Sequence, residues 1–174
     1  YIVSTQAMYR FQSVNGLPTV TWRTGYDNTN TVKSGQKSAG SGTTPTIMPG
    51  KRVAIVDNSD PENVVVYNNA TGAEVCKVPV FGKGASATEN SLISVGNSLI
   101  AENNYGNAGP QSTTLGRTTT PGITRVDVSA AGECTTAWAN TTVSSPSVVP
   151  KVSAGAGLVY TYSKPKGPGT IDRW

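Results

Sequence analysis

The stretch TPTIMPGKRVAIVDN (residues 44–58) decides the fold of this chain, because it recurs in altered form as NSLISVGNSLIAENN (residues 90–104) and SPSVVPKVSAGAGLVYTYSK (residues 145–164). Each copy has a polar entry, a short strand, a glycine-containing turn and a second apolar strand. The copies recur at roughly 40 to 50 residues, and no helical pattern lies between them. The chain is therefore predicted to be an all-β repeat protein.

The second half of the repeat has the same character in three places. It reads RFQSVNGLPTVTW (residues 10–22), VVVYNNATGAEVCKV (residues 64–78) and ITRVDVSAAGECTTAW (residues 123–138). Each segment is a strand, a turn with a glycine that supplies positive φ, and another strand. Repeated units of four antiparallel strands predict a β-propeller, in which each unit is one blade. A β-sandwich with similar hairpins is the alternative.

The pattern predicts a single propeller region over residues 1–174. Full blades fall at residues 44–81 and 91–143, and partial blades at residues 1–26 and 145–174. Propellers close with about four to eight blades, so this chain is expected to be an incomplete propeller. It is either a piece of a longer polypeptide or a chain whose remaining blades come from another chain.

The repeats resemble those of secreted bacterial propeller proteins of the quinoprotein-like and YVTN-like type, most of which are uncharacterised. The segments that carry the resemblance are GSGTTPTIMPGKRVAIVDNSDPENV (residues 40–64), EVCKVPVF (74–81), SATENSLI (86–93), AENNYG (101–106), SVVPK (147–151) and GLVYTYSKP (157–165). The resemblance implies a propeller fold and a secreted or periplasmic location, and it supplies no catalytic residues. Trp22 and Trp138 lie near outer-strand ends, but the full quinoprotein blade motif is absent. Pyrroloquinoline quinone is therefore a weak cofactor candidate.

Loop lengths predict where the functional face lies. The hairpin turns within each unit are short, whereas the other connections are long: residues 27–43, 58–63, 82–90 and 105–122. In a propeller these long connections emerge on the same face. Sites are commonly built from loops held on rigid strands, so this face is the predicted site.

Six of the ten carboxylate residues map to this face, and several asparagines accompany them. The carboxylates are Asp27, Asp57, Asp60, Glu62, Glu89 and Glu102. Carboxylate oxygens suit Ca²⁺, which makes Asp57, Asp60, Glu89 and Glu102 the candidate metal ligands. The candidate ligand-binding residues are Asn58, Asn90, Asn103 and Asn104, and Glu89 or Glu102 is the candidate general base. The competing interpretation is that Asp and Asn occur here because they hydrogen-bond to the backbone of turns.

Composition excludes several functions. The chain has no His, which excludes a Ser-His-Asp triad and a His-ligated zinc site within it. The net charge is +4, but the Lys and Arg residues are scattered, so nucleic-acid binding is not expected. No apolar run reaches the length of about 18 residues that a membrane span requires.

Two pairs of residues remain open to interpretation. Cys76 and Cys134 occupy equivalent outer strands, and a protein outside the cytosol favours a disulfide, whereas diverging outer strands oppose one. Tyr160 and Tyr162 alternate along one strand face and are expected to pack between blades, the alternative being that they stack against a sugar.

Three functional hypotheses follow. The first is an extracellular propeller that binds a small polar ligand, a glycan or a protein on its loop face, with Ca²⁺ stabilising the loops. The second is part of a quinoprotein-like oxidoreductase or of another propeller enzyme that uses a Glu base. The third is a structural or assembly role, in which the open ends recruit further blades.

Overall fold

The computed structural model describes residues 1–109, 112, 119–162 and 164–165, and these residues form an all-β structure. The strands are β1 (Ile2–Val3), β2 (Ala7–Val14), β3 (Leu17–Gly25), β4 (Thr46–Met48), β5 (Arg52–Val56), β6 (Asn63–Asn68), β7 (Glu74–Pro79), β8 (Ile93–Val95), β9 (Ser98–Glu102), β10 (Ile123–Val128), β11 (Cys134–Asn140), β12 (Val143–Ser144), β13 (Lys151–Ser153), β14 (Leu158–Tyr160) and β15 (Lys164–Pro165).

The strands form separate antiparallel sheets that follow one another along the chain. Sheet 1 contains β1 to β3, sheet 2 contains β4 to β7, sheet 3 contains β8 to β11, and sheet 4 contains β13 and β14. A further short pair joins β12 to β15. In sheets 1 to 4, strands that are consecutive in sequence are neighbours in space, so each sheet is a simple meander.

Sheet 2 is buried on both of its faces. Because successive side chains of a strand point to opposite faces, β5 and β6 supply one apolar layer to each neighbour. The layer toward sheet 1 packs with Met8 and Trp22 and consists of Val53, Ile55, Val65 and Tyr67. The layer toward sheet 3 packs with Leu99 and Val126 and consists of Ala54, Val56, Val64 and Val66. The continuous apolar runs in the sequence of sheet 2 reflect this position between two other sheets.

The same irregularity recurs in sheets 1, 2 and 3. The pairing of the last two strands of each sheet shifts register between Arg10 and Phe11, between Val66 and Tyr67, and between Arg125 and Val126. A β-bulge adds one residue to one strand and increases its twist. Its presence at an equivalent place in three sheets shows that the sequence repeat is also a structural repeat.

In each of these sheets, the strand that precedes the last two strands (β1, β5 and β9) ends in an equivalent hydrogen-bonded turn. The side-chain oxygens of Ser4, Asp57 and Asn103 accept the backbone N–H two residues later, at N–O distances of 3.2, 3.1 and 3.0 Å respectively. Short polar side chains commonly close turns in this way. The shared turn places Val3, Val56 and Glu102, the residues just before it, at corresponding positions.

Cys76 and Cys134 form a disulfide between sheets 2 and 3, which answers the question that the sequence left open. The outer strands β7 and β11 lie in contact, and the two Cα atoms are 5.6 Å apart. This separation lies within the range that a disulfide requires. The bridge therefore connects the outer edges of two stacked sheets.

Replacing both cysteines with serine is expected to lower the free energy of unfolding by about 2 to 5 kcal/mol, because the bridge restricts the unfolded chain. The sequence separation of 58 residues makes the closed loop long. Urea denaturation with and without reductant measures the effect. The double serine variant is the control, because reductant should not change its unfolding midpoint. An unchanged wild-type midpoint in reductant would show that the prediction is wrong.

Candidate functional site

The four long loops meet around one polar cavity of about 220 Å³. We call it the loop cavity, and its lining residues are Thr29, Thr31, Lys33, Ser34, Asp60, Gly84, Ser86 and Tyr105. Each of the four long connections predicted from the sequence contributes at least one of them. The strands of sheets 1 to 3 therefore bring distant segments of the chain to a common site.

Half of the lining residues come from residues 27–43, which we call the crossing loop. It runs from sheet 1 to sheet 2, and its glycines approach segments of sheets 1 and 3. A Cβ atom at Gly35 would lie 2.1 Å from the backbone oxygen of Asn104, in the connection between β9 and β10 of sheet 3. A Cβ atom at Gly40 would lie 2.6 Å from the Cα of Thr5, in sheet 1's β1–β2 turn. The crossing loop approaches these segments so closely that only glycine fits.

A buried ion pair fixes the crossing loop beside the loop cavity. Lys33 Nζ lies 3.3 Å from Glu62 Oε1, and Gln36 Nε2 donates to the same oxygen at 3.1 Å. Lys33 also donates to the backbone oxygen of Ser59. Glu62 is fully buried, whereas the Lys33 side chain is 10% exposed and lines the cavity.

Burial dominates the electrostatics of Glu62. Desolvation raises the pKa of its carboxyl group to about 8, although the ammonium of Lys33 opposes the shift. Glu62 Oε2 has no hydrogen-bond partner among the described residues. An ionised carboxylate in this position depends on Lys33, because a buried charge without a partner is costly.

The remaining cavity groups offer both donors and acceptors. Asp60 Oδ1 accepts the backbone N–H of Gly84 at 2.6 Å, which connects two of the loops. Ser86 Oγ accepts the backbone N–H of Glu62 at 3.1 Å, and the backbone oxygen of Tyr105 accepts the N–H of Thr120 at 2.8 Å. The cavity therefore contains an ammonium, a carboxylate, several hydroxyls and a phenol on loops that are themselves hydrogen-bonded. Such a set can bind a ligand with several hydroxyl groups.

Three of the asparagines predicted to bind ligand make hydrogen bonds to neighbouring loops. Asn58 accepts from Gln36 Nε2 at 2.9 Å and donates to the Thr31 carbonyl at 3.1 Å. Asn103 donates to the Ala85 carbonyl at 2.9 Å and accepts the Ala87 N–H at 3.2 Å. These contacts agree with the interpretation that the asparagines occur here for the sake of the turns.

Asn104 and Asn90 differ in how far their hydrogen bonds are satisfied. Asn104 Nδ2 donates to the Gly35 carbonyl at 2.5 Å, and Asn104 Oδ1 accepts the Ser147 N–H at 2.9 Å. Asn104 thereby connects the crossing loop to the segment before sheet 4. Asn90 is 8% exposed, and its Nδ2 has no partner among the described residues.

The four candidate metal ligands are in different environments. Asp57 is buried, which raises its pKa, and its oxygens accept from Ser59 and Asn63. Asp60 lines the loop cavity. Glu89 accepts the Lys37 N–H at 2.8 Å and lines a separate cavity of about 440 Å³. In the described part of the chain, no three Asp, Glu or Cys side chains gather as a set that could hold a metal ion.

Glu102 is a buried carboxyl group at a position that is apolar in the other sheets. It is 2% exposed, and neither of its oxygens has a hydrogen-bond partner among the described residues. Val3 and Val56 occupy the corresponding positions in sheets 1 and 2, immediately before the shared turn. Burial raises the pKa of Glu102 to about 8, and the Ser145 hydroxyl, which donates to the Tyr162 carbonyl, offsets only part of this effect.

A general base must reach the proton that it removes from the substrate. Glu102 does not line the loop cavity, and the cavity that Glu89 lines is a different one. Neither residue therefore lines the cavity with Lys33, and Glu102 does not line the cavity of Glu89.

Comparisons of the chain with protein-family models, with curated proteins and with solved structures returned no match. Any inference about the function of this chain therefore rests on its own sequence and geometry. Within the described residues, we find no helix with the length and hydrophobicity needed to cross a bilayer.

Sequence reasoning missed the most informative cavity residues, Lys33 and Tyr105. Both lie in long loops that contain many polar residues, and neither belongs to a recognisable motif. The spacing of Gly35, Gly40 and Gly42 was the one available signal, since repeated glycines in a long loop can mark close backbone contacts. Glu62 was recognised as part of the polar face, but its pairing with Lys33 requires the tertiary structure.

Glu102 is expected to make the protein less stable as the pH rises. The pKa of Glu102 is about 8 in the folded protein, whereas its ordinary value is 4.5. Its contribution to the free energy of unfolding is therefore most favourable below about pH 4.5 and is lost progressively as the pH rises to about 8. One such group contributes a slope of about 1.4 kcal/mol per pH unit. Glu102→Gln should therefore flatten the dependence of the free energy of unfolding on pH, as measured by urea denaturation across this range.

The exposed Glu133 provides the control for this experiment, and Glu133→Gln should leave the slope unchanged. Glu62, whose pKa is also raised to about 8, accounts for a slope that persists in the Glu102→Gln protein. Equal slopes in the wild type and Glu102→Gln would contradict the assignment.

Gly35→Ala is expected to cost about 2 kcal/mol more stability than Gly16→Ala, because overpacking adds to backbone strain. Both glycines have positive φ, 99° and 80°, but a Cβ at Gly16 meets no atom within 4 Å. Thermal or urea unfolding of the two variants isolates the contact between the crossing loop and Asn104. If both substitutions cost the same, the close approach does not matter for stability.

Proposed function

We propose that this chain is part of an extracellular β-propeller that binds a small polar ligand, such as a sugar residue at the end of a glycan, in the loop cavity. The observation that carries the proposal is the convergence of four long loops, at one edge of the stacked sheets, on a single polar cavity. The cavity volume of about 220 Å³ suits one small ligand or one terminal residue of a larger one.

The proposed radial arrangement rests on the sheet geometry. Four-stranded meanders that stack face to face, with a bulge at an equivalent place, are what propeller blades would present. Burial of both faces of sheet 2 also fits a blade between two others. In this interpretation the chain is similar in architecture to secreted propeller proteins of the quinoprotein-like and YVTN-like repeat type, and no cofactor is assigned to it.

The disulfide supports the proposed location outside the cytosol. Disulfides persist in secreted and periplasmic proteins, whereas cytosolic thiols are kept reduced. Both cysteines of the chain are used in the bridge between sheets 2 and 3.

The geometry favours binding over catalysis. The two carboxyl groups with the most strongly raised pKa, Glu62 and Glu102, are buried and do not line the loop cavity. Asp60, which does line it, accepts a backbone hydrogen bond from Gly84. Asp60 and Glu62 are engaged in contacts that join the loops, and the hydroxyls, Lys33 and Tyr105 remain for the ligand.

Titration with methyl glycosides of glucose, galactose, N-acetylglucosamine and glucuronic acid tests the proposal. The NMR chemical shifts of the backbone amides of Lys33, Ser86 and Tyr105 should change for at least one of these sugars. The dissociation constant should lie in the millimolar range, which corresponds to a binding free energy of about −4 kcal/mol. Lys33→Met and Tyr105→Ala should each weaken this binding about tenfold, a loss of about 1.4 kcal/mol.

Lys37→Met is the matched control, because Lys37 is an exposed lysine of the same crossing loop and does not line the cavity. Lys33→Met also removes the partner of Glu62, so Tyr105→Ala provides the variant that leaves the ion pair intact. Shifts confined to other surfaces, or no shifts with any of the sugars, would reject the proposed site.

A further inference from the structure

A second cavity lies beside the loop cavity, in the gap between sheets 2 and 3 where the outer strands β7 and β11 end. We call it the outer cavity, and its volume is about 340 Å³. The disulfide between β7 and β11 fixes the two strands that flank it. Its lining combines apolar residues with polar ones, among them Pro79, Phe81 and Pro121, and Thr124, Asn140 and Thr141.

The outer cavity and the loop cavity lie on either side of one tight turn. Gly82 lines the outer cavity and Gly84 lines the loop cavity, and the Ala85 N–H donates to the Gly82 carbonyl at 3.1 Å. Asp60 Oδ1 fixes this turn by accepting the Gly84 N–H. A Cβ atom at either glycine would meet no atom within 4 Å, so the space above the turn is open. A ligand in the loop cavity can therefore extend across the turn into the outer cavity.

Thr124 supplies a buried hydroxyl group to the outer cavity. It lies in β10 on the same side as Val126, which packs toward sheet 2, and it is 3% exposed. Its hydroxyl makes no hydrogen bond to a described residue. A buried polar group without a partner is unfavourable and calls for an explanation. A ligand hydroxyl in the outer cavity would be the missing partner.

Asn140 supplies a second polar group, whose orientation is fixed. Its Oδ1 accepts the N–H of Thr142 at 2.9 Å and that of Val143 at 3.0 Å, which closes the turn after β11. Its Nδ2 makes no hydrogen bond within the described part of the chain. The amide is therefore held by one end, and its donor end remains for a ligand in the outer cavity.

Phe81 forms a rigid apolar wall of the outer cavity. Its φ is 65°, a conformation that is rare and strained for a bulky residue and that occurs most often at functional sites. The ring packs against the core between sheets 2 and 3. A Cβ atom at Gly122 would lie 2.9 Å from Phe81 Cδ1, so the backbone of Gly122 holds the ring from the other direction.

We propose that the outer cavity is a second sugar subsite, so that the ligand is a glycan whose terminal residue occupies the loop cavity and whose next residue occupies the outer cavity. The inference rests on the function proposed above and names the ligand as a glycan of at least two residues. A sugar ring is the occupant because it combines C–H groups, which suit the wall of Phe81, with hydroxyl groups, which suit Thr124 and Asn140. Binding sites commonly combine apolar walls with a few placed polar groups in this way.

Titration with disaccharides tests the second subsite. Each disaccharide ends in one of the sugars tested above as methyl glycosides: cellobiose, lactose, N,N′-diacetylchitobiose and the glucuronyl-N-acetylglucosamine disaccharide of hyaluronan. The disaccharide whose terminal residue binds in the loop cavity should bind about tenfold more tightly than the matching methyl glycoside, because its second residue adds hydrogen bonds. The NMR chemical shifts of the backbone amides of Phe81, Gly82 and Asn140 should then change together with that of Lys33.

Thr124→Val removes the buried hydroxyl and keeps the shape of the side chain. It should weaken binding of the disaccharide about fivefold, the effect of one hydrogen bond, and leave the affinity for the methyl glycoside unchanged. Thermal unfolding establishes that the variant is as stable as the wild type. An unchanged affinity for the disaccharide would show that Thr124 does not contact the ligand and would contradict the subsite.

Gly82→Leu blocks the outer cavity without straining the backbone, and Gly155→Leu is the matched control. Neither glycine has a positive φ, and a Cβ at either position meets no atom within 4 Å. Gly155 lines neither cavity. Gly82→Leu should remove the tenfold gain of the disaccharide while the methyl glycoside still binds, whereas Gly155→Leu should change neither affinity.

The outcomes separate this proposal from the proposed function. Equal affinities for the disaccharide and the methyl glycoside, with shifts confined to the loop cavity, would overturn the second subsite and leave the loop cavity as a site for a single sugar residue. Shifts at Phe81 and Asn140 without a shift at Lys33 would show that one glycan does not occupy both cavities. Binding of none of the sugars would reject the proposed function and the subsite with it.

Discussion

The burial of both faces of sheet 2 is the constraint on which the rest of this structure depends. A sheet with one polar face can end a stack, but sheet 2 has apolar side chains on both faces, and each face requires a neighbour. At about 25 cal/mol per Å² of buried apolar area, this packing provides the dominant favourable term in folding. The order of the sheets, the position of the disulfide and the meeting of the loops all follow from it.

Stacking the sheets in one orientation places equivalent strand ends at one edge, where the polar chemistry concentrates. Ser4, Asp57 and Asn103 end their strands with the same kind of turn, and the crossing loop then connects the three ends. The buried pair of Lys33 and Glu62 orients this loop, since breaking it would leave a buried charge without a partner. The loop cavity is therefore a consequence of how the sheets pack, and its polar groups are positioned by hydrogen bonds rather than by a local motif.

Glu102 shows how a repeat can be modified at one position without losing its fold. Valine occupies the corresponding place in sheets 1 and 2, where it fills an apolar layer. In sheet 3 the carboxyl group is buried as Val56 is, but it has no hydrogen-bond partner among the described residues, and its pKa rises accordingly. The surrounding strands hold the geometry, so the unfavourable burial of one carboxyl group is tolerated.

The all-β class and the approximate limits of the strands were determined by the sequence itself, because the alternation of apolar residues and the glycine turns act over short distances. The repeated stretches at residues 44–58 and 90–104 predicted corresponding strands, and sheets 2 and 3 contain them. The same local information indicated which loops are long and which face they share. It could not show that Asn58 and Asn104 bind neighbouring loops, because a turn residue and a ligand-binding residue look alike in one sequence. Only the tertiary structure decided that Cys76 reaches Cys134, that Lys33 pairs with Glu62 and that Glu102 is buried. Each of these contacts joins segments that lie far apart in the chain, and their distances are set by how the sheets stack.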